Sequence, residues 1–122
     1  MYLEIIIPLT PITKKNSQRI ITVKGRPMIV PSSQYKAYEK ECAWFMPKLR
    51  MPVDLPVNVK CLYYMPTRRV CDLVNLQEST LDILVKYGVL VDDNYKIVSS
   101  MDGSRVLYDK ENPRTEITIT NV

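Results

Sequence analysis

The stretch RRVCDLVNLQESTLDILVKYGVLVDD, residues 68–93, decides the fold. At 100° per residue, Leu73, Leu76, Thr80, Ile83, Leu84 and Tyr87 fall on one side, the stripe of a helix of about 15 residues laid against a sheet. Asn75, Glu78 and Asp82 fall on the opposite side, three or four residues apart, and Lys86 continues the row. That row reads either as the wall of a site or as a solvated face braced by an Asp82–Lys86 pair at i, i+4. A third strip, Val74, Leu81 and Val85, lies between the two faces and needs cover from another helix or from a second subunit. Asp72 precedes the apolar pattern and suits an N-cap. Beyond Gly88, the apolar run VLV leads to the paired Asp92 and Asp93. They read as a turn, or as carboxylates carried back toward the start of the helix.

Working outward, YLEIIIP (2–8) is β-branched and apolar, a buried strand ended by Pro8 and Pro11. RIITV and PMIV flank KGRP, where Gly25 can take a positive φ, so a hairpin is expected over about Arg19 to Val30. In PSSQYKAYEKECAWFMP, Ser32 or Ser33 caps a first helix. Tyr35, Tyr38, Cys42 and Phe45 recur at helical spacing until Pro47. VNVKCLYYMP predicts a strand from Val57 to Tyr64. YKIVSSMDGS and TEITITNV read as two closing strands, with Gly103 and the turn KENPR between them. The expected class is α+β, one domain, a mixed β-sheet packed with two main helices.

Composition narrows the chemistry. A chain of 122 residues can bury roughly two thirds of its unfolded surface without staples. No apolar run nears the ~20 residues of a membrane span, and the start MYLEIIIPLTP lacks the flank of a secretory signal, so a cytoplasmic place is expected. The three cysteines form no CxxC pair and suit reduced thiols, not a disulfide framework or zinc site. The absence of histidine excludes histidine-activated nucleophiles and HExxH hydrolases, leaving carboxylates, lysines, tyrosines or cysteines for any hydrolysis. A net charge of +4 is compatible with a polyanionic partner. Carboxylates at both ends of residues 72–93 are the groups a two-metal phosphodiester hydrolysis uses, and magnesium prefers such oxygen ligands.

These residues resemble the RusA-type Holliday-junction resolvases, small homodimeric endonucleases of phages and bacterial prophages. The similarity runs through the proline-ended first strand, KKN, the hairpin, PSSQYKAY, YYMP, RRVCDLVNLQ and YGVLVDDNYKIV. The family pattern is close to RR-x-x-D-L-D-N-L-x-K, then a helical aspartate, K-x-G and a terminal D-D, and the interval from Asp72 to Asp93 fits it without a gap. The resemblance implies a single RusA-like domain over 1–122 that nicks four-way DNA junctions symmetrically as a homodimer, with Mg2+ or Mn2+. It places catalytic aspartates at Asp72 and Asp93, with Asp92 beside the latter and Asn75 and Asp82 at supporting positions.

Two positions depart from that pattern. Val74 stands where the family has its second aspartate, and Glu78 where it has a lysine. Helical side chains lean toward the N-terminus, so the longer arm of Glu78, one turn beyond Val74, can reach back toward the missing ligand's space. The expected set is therefore Asp72, Glu78 and Asp93 as catalytic residues and, with Asp92, as metal ligands. Lys86, Lys14 or Lys15 are the cations that can stand in for the lysine. Phosphate contacts are expected from Lys14, Lys15, Asn16, Arg19, Arg68, Arg69 and Lys86, with Lys24 and Arg26 on the hairpin. The alternative is a branched-DNA-binding protein of the same fold with impaired catalysis.

Overall fold

The computed structural model describes residues 1–14 and 18–122. Four strands form its main layer with one short addition: β1 (Tyr2–Ile7), β4 (Val57–Met65), β5 (Val98–Ser100), β6 (Arg105–Tyr108) and β7 (Arg114–Asn121). The order is β1-β7-β4-β5, and β6 also pairs with β4. β7 runs antiparallel to both β1 and β4, whereas β5 and β6 lie parallel to successive parts of β4, so the sheet is mixed as expected.

Alternation explains which face is covered. Val57, Val59, Cys61 and Tyr63 of β4 are buried, as are Ile5 and Ile7 of β1 and Thr115, Ile117 and Ile119 of β7, while their neighbours are not. Both helices, α1 (Ser33–Cys42) and α2 (Leu73–Lys86), pack on that face, contributing Tyr35, Tyr38, Cys42, Leu76, Ile83 and Leu84 to one core. Deep in it, Tyr63 Oη lies 2.8 Å from Thr80 Oγ1, and Thr80 donates to the carbonyl of Leu76 at 3.0 Å. A threonine hydroxyl has one proton, so the phenol must donate to it.

Local chemistry sets the element ends. Ser32 caps α1, its hydroxyl accepting from the Tyr35 N–H at 3.1 Å. α1 stops at Cys42 and continues only as a 3-10 turn, Ala43–Phe45, short of the extent to Pro47 that the apolar spacing predicts. The hairpin is present as β2 (Gln18–Val23) and β3 (Arg26–Pro31), closed by Lys24 and Gly25 with φ of 51° and 75°. Two positive φ values define the turn that matches strand twist. It forms a separate two-stranded sheet and leaves Ile20 and Ile29 exposed as a cross-strand pair.

The closing region departs from expectation. Only Val98–Ser100 of YKIVSSMDGS is strand, and RVLY, unassigned from sequence, forms β6. β6 is short and its side chains are mostly exposed, so it carries little periodic signal. Among the described residues, no helix is long and apolar enough to cross a membrane.

Candidate active site on the second helix

Asp72 is the N-cap of α2. Its Oδ1 accepts the N–H groups of Val74 at 2.9 Å and Asn75 at 3.4 Å, satisfying two donors that the first turn otherwise leaves unpaired. No hydrogen bond engages its other oxygen among the described residues. The expected core side is confirmed at Leu76, Thr80, Ile83 and Leu84, with Leu73 and Tyr87 partly buried against it.

The polar row needs correction at one end. Asn75 does not share an exposed wall with Glu78: it is 9% exposed, and Ser79 beside the row is 4% exposed. Glu78 is exposed and Asp82 half-buried. The row thus runs from the buried Asn75 to the exposed Glu78 and the half-buried Asp82. A segment from another part of the chain bonds to Ser79. It is the segment after β1, where Pro11 and Thr13 are buried and the Lys14 N–H donates to Ser79 Oγ at 3.0 Å. The Asp82–Lys86 brace is also replaced. Lys86 Nζ lies 2.5 Å from Glu39 of α1, and the Tyr87 hydroxyl donates to the Glu39 carbonyl at 2.8 Å. Both partners of the ion pair are partly exposed, so it contributes ~1 kcal/mol at most.

Gly88 redirects the chain. Its φ is 75°, its N–H donates to the Val85 carbonyl at 3.1 Å, and the Val89 N–H donates to Leu84 at 2.9 Å, the bonding of a Schellman terminus. Leu90 then pairs with Val53, with Val53 N–H to Val89 and Val91 N–H to Val53 both near 3 Å. Beyond Leu90 the chain enters a turn in which Asp92 accepts from the Asp93 N–H and the Asn94 amide. Asp93, in this turn, is among the charges that raise Asp82 of α2.

Asp82 feels its neighbours' charges. Partial burial pushes its carboxyl above the ordinary aspartate range, the Lys14 ammonium opposes that, and Asp93, Glu78 and Glu39 push it further up. Asp92 behaves oppositely. The backbone N–H of Asp93, at 2.7 Å, and the Asn94 amide, at 3.1 Å, hold its carboxyl below the usual range. Asp92 is committed to the turn. Neither Asp72 nor Asp92 is among the charges that perturb Asp82.

Against this cluster lies a feature with no sequence signal. Tyr35 is 1% exposed, and its hydroxyl, next to Ser79 and within the field of Glu39 and Asp82, makes no hydrogen bond of good geometry. Burial, then Glu39 and Asp82, push this phenol far up, so it stays protonated. Glu39 was equally hidden, since nothing in α1 alone shows that it will meet α2.

The donor set is all oxygen. There is no histidine, and burial pushes the thiols of Cys42 and Cys61 up to about 11 and about 12. Such a set fits a hard divalent cation and not zinc. Among the described residues, no three acidic or cysteine side chains stand close enough to hold an ion as they are placed. A surface depression of about 660 Å3 between Pro8–Thr10 and Asp109–Arg114 is lined by none of these carboxylates.

Of the expected DNA contacts, Arg68, Arg69 and Lys14 are exposed, and Lys86 is paired to Glu39. Arg19 lies on β2 opposite Val30, while Lys15 and Asn16 lie outside the described residues.

Residues 8–120 match the family model Endodeoxyribonuclease RusA. The chain belongs to the RusA endodeoxyribonuclease family. The match takes in both helices, the Asp72–Asp93 interval and all strands but β1, which precedes it, and the last residue of β7. No curated protein matches the chain. RusA membership makes an endodeoxyribonuclease the frame for the acidic cluster. It leaves the departures at Val74, which is 65% exposed, and at Glu78 as properties of this chain.

Proposed function

We propose that the chain is a divalent-metal-dependent endonuclease that resolves four-way DNA junctions as a homodimer, in the cytoplasm of a bacterial cell and encoded by a phage or prophage. What supports this reading is the match of residues 8–120 to the RusA family, with Asp82 of α2 raised by burial and by the charges of Asp93, Glu78 and Glu39 beside it. Carboxylates that repel one another at a half-buried site favour a cation between them. Asp72, Glu78 and Asp93 would hold Mg2+ or Mn2+, with Asp82 behind them and Asp92 fixing the turn. The ion, once bound, supplies Lewis acidity toward a phosphate oxygen and a more acidic water.

The chain's own residues do the rest. Lys14 takes the place of the lysine that Glu78 replaces. Its backbone is clipped to Ser79, one residue beyond Glu78, and it is the cation nearest in effect to Asp82. Lys86 is a weaker choice because Glu39 holds it. Arg68 and Arg69 enter α2 without salt-bridge partners among the described residues and are free to take phosphates. Two copies supply two such sites, one for each nick.

The deciding experiment is a junction-cleavage assay with and without Mg2+ or Mn2+, with metal binding followed separately by calorimetry. Wild type nicks only with metal. Asp93→Asn and Glu78→Gln bind junctions but neither bind Mn2+ tightly nor cut. If Glu78→Gln cuts like wild type while Asp72→Asn is dead, the relocated ligand is wrong. Val74 and Glu78 favour one second reading, a branched-DNA-binding relative without catalysis. Tight junction binding without nicking under either metal identifies it.

A further inference from the structure

Four residues before Asp72 the chain carries a second constellation, and it is not acidic. The guanidinium carbon of Arg68 sits 4.1 Å from the centre of the Tyr108 ring. With Thr67, Arg69, Val106 and Leu107 the pair lines a groove of about 350 Å3, within the ~300–1,000 Å3 of small-ligand clefts. Tyr108 is held at the end of β6, opposite Met65 of β4, and the next N–H, of Asp109, donates to the Met65 carbonyl at 2.9 Å. The ring is thus fixed by a β-ladder yet 41% exposed, and Val106 beside it is 36% exposed.

A comparison within the molecule shows what is unusual. Arg114 also stacks on a tyrosine, Tyr64, at 3.8 Å, but it is bonded to Asp109 at 2.8 Å and Glu116 at 2.6 Å. That cation is consumed internally. Arg68 and Arg69 make no salt bridge among the described residues, so their charge remains for an anion. An arginine held over a tyrosine ring, with apolar walls and a spare cation, suits a planar, anionic guest: a nucleotide whose base is not stacked in a duplex.

We propose that the Arg68–Tyr108 stack seats one nucleobase left unstacked at the branch point of junction DNA, with Arg69 on the adjoining phosphate. This rests on the junction reading above and adds the contact by which the chain tells a branch from a duplex. In a continuous duplex every base is stacked on its neighbours, so the groove takes only phosphate contact there. At a branch, stacking is interrupted and seating a base costs less. The segment from Thr67 to Asp72 links the groove to the N-cap of α2, so a seated base fixes where the neighbouring strand meets Asp72.

The test uses the full chain in metal-free buffer, with a four-way junction and a duplex of the same arm sequence. Tyr108→Ala weakens junction binding about 5- to 100-fold, as loss of one base–aromatic stack does, leaves duplex binding within twofold, and is rescued by Tyr108→Phe. In wild type, 5-iododeoxyuridine at the branch point photocrosslinks to the peptide holding Tyr108, and the same label in an arm does not. Equal loss on junction and duplex, or branch-point crosslinks confined to other peptides, overturns the seat while leaving the nuclease reading intact. A wild type that binds duplex as tightly as junction overturns both. Because the crosslink is read on wild type, a poorly folded variant does not obscure the answer.

Discussion

Replacing Thr80 by valine tests how α2 is locked to the sheet. Thr80 is 5% exposed and Tyr63 1% exposed, and the phenol donates to the threonine hydroxyl at 2.8 Å. Valine keeps the shape and β-branching but removes the acceptor, and at this depth water does not replace it. The Leu76 carbonyl keeps its helical N–H partner, so the loss falls on Tyr63 alone. An orphaned buried donor costs about 1–3 kcal/mol, and the added methyl returns only part of that. A net loss of about 1.5 kcal/mol lowers Tm by roughly 5 °C in a domain of this size.

The sign of the second substitution is the sharper outcome. Tyr63→Phe destabilises wild type by about 1 kcal/mol. Made on top of Thr80→Val it stabilises, because it removes the orphan, and the cycle gives a coupling near 1–2 kcal/mol. Urea unfolding followed by circular dichroism is the assay, since Trp44, the single tryptophan, is 84% exposed and a poor reporter. If Tyr63→Phe costs the same in both backgrounds, the hydrogen bond carries no net stability and the reasoning fails.

Asp82→Asn should stabilise the protein at pH 7. Its folded carboxyl is raised, chiefly by burial, so the stability it gives is present below the unfolded aspartate value of ~3.9 and lost as pH rises through the folded value. The gain, under ~1 kcal/mol given its exposure, should shrink toward zero in melts below that pH. A gain that grows with acid would contradict the assignment. Asp72→Ala should cost about 1 kcal/mol as a lost cap, while Asp72→Asn, which still caps, keeps stability and loses cleavage; equal melting of the two would remove the cap. With a thiol reagent at pH 8, Cys71 should react first, and Cys42 and Cys61, buried and raised to about 11 and about 12, only on unfolding. Mn2+ should raise the Tm of wild type and not of Asp93→Asn.

Some of this was legible in one dimension. The apolar stripe of α2, the Asp72 cap, the Ser32 cap and the hairpin turn follow from local periodicity and capping chemistry, which operate within a few residues. The family membership was equally written in RRVCDLVNLQ and YGVLVDD, because those spacings persist in any alignment of letters. β6 was not legible, since four mostly exposed residues have no buried face to give them a period.

What only the tertiary structure decided is where the charges go. A helical projection placed Asn75 outside and offered an Asp82–Lys86 pair as one of two readings of the row. In the fold Asn75 and Ser79 are buried, Ser79 accepts from the Lys14 N–H, and the approach of α1 gives Lys86 to Glu39. Charge–charge energies depend on distance and exposure, and both are fixed by segments far apart in sequence. So Asp82, a supporting residue in the letters, is the carboxylate that senses Glu78 and Asp93, and Lys14, sixty-eight positions away, is the cation beside it.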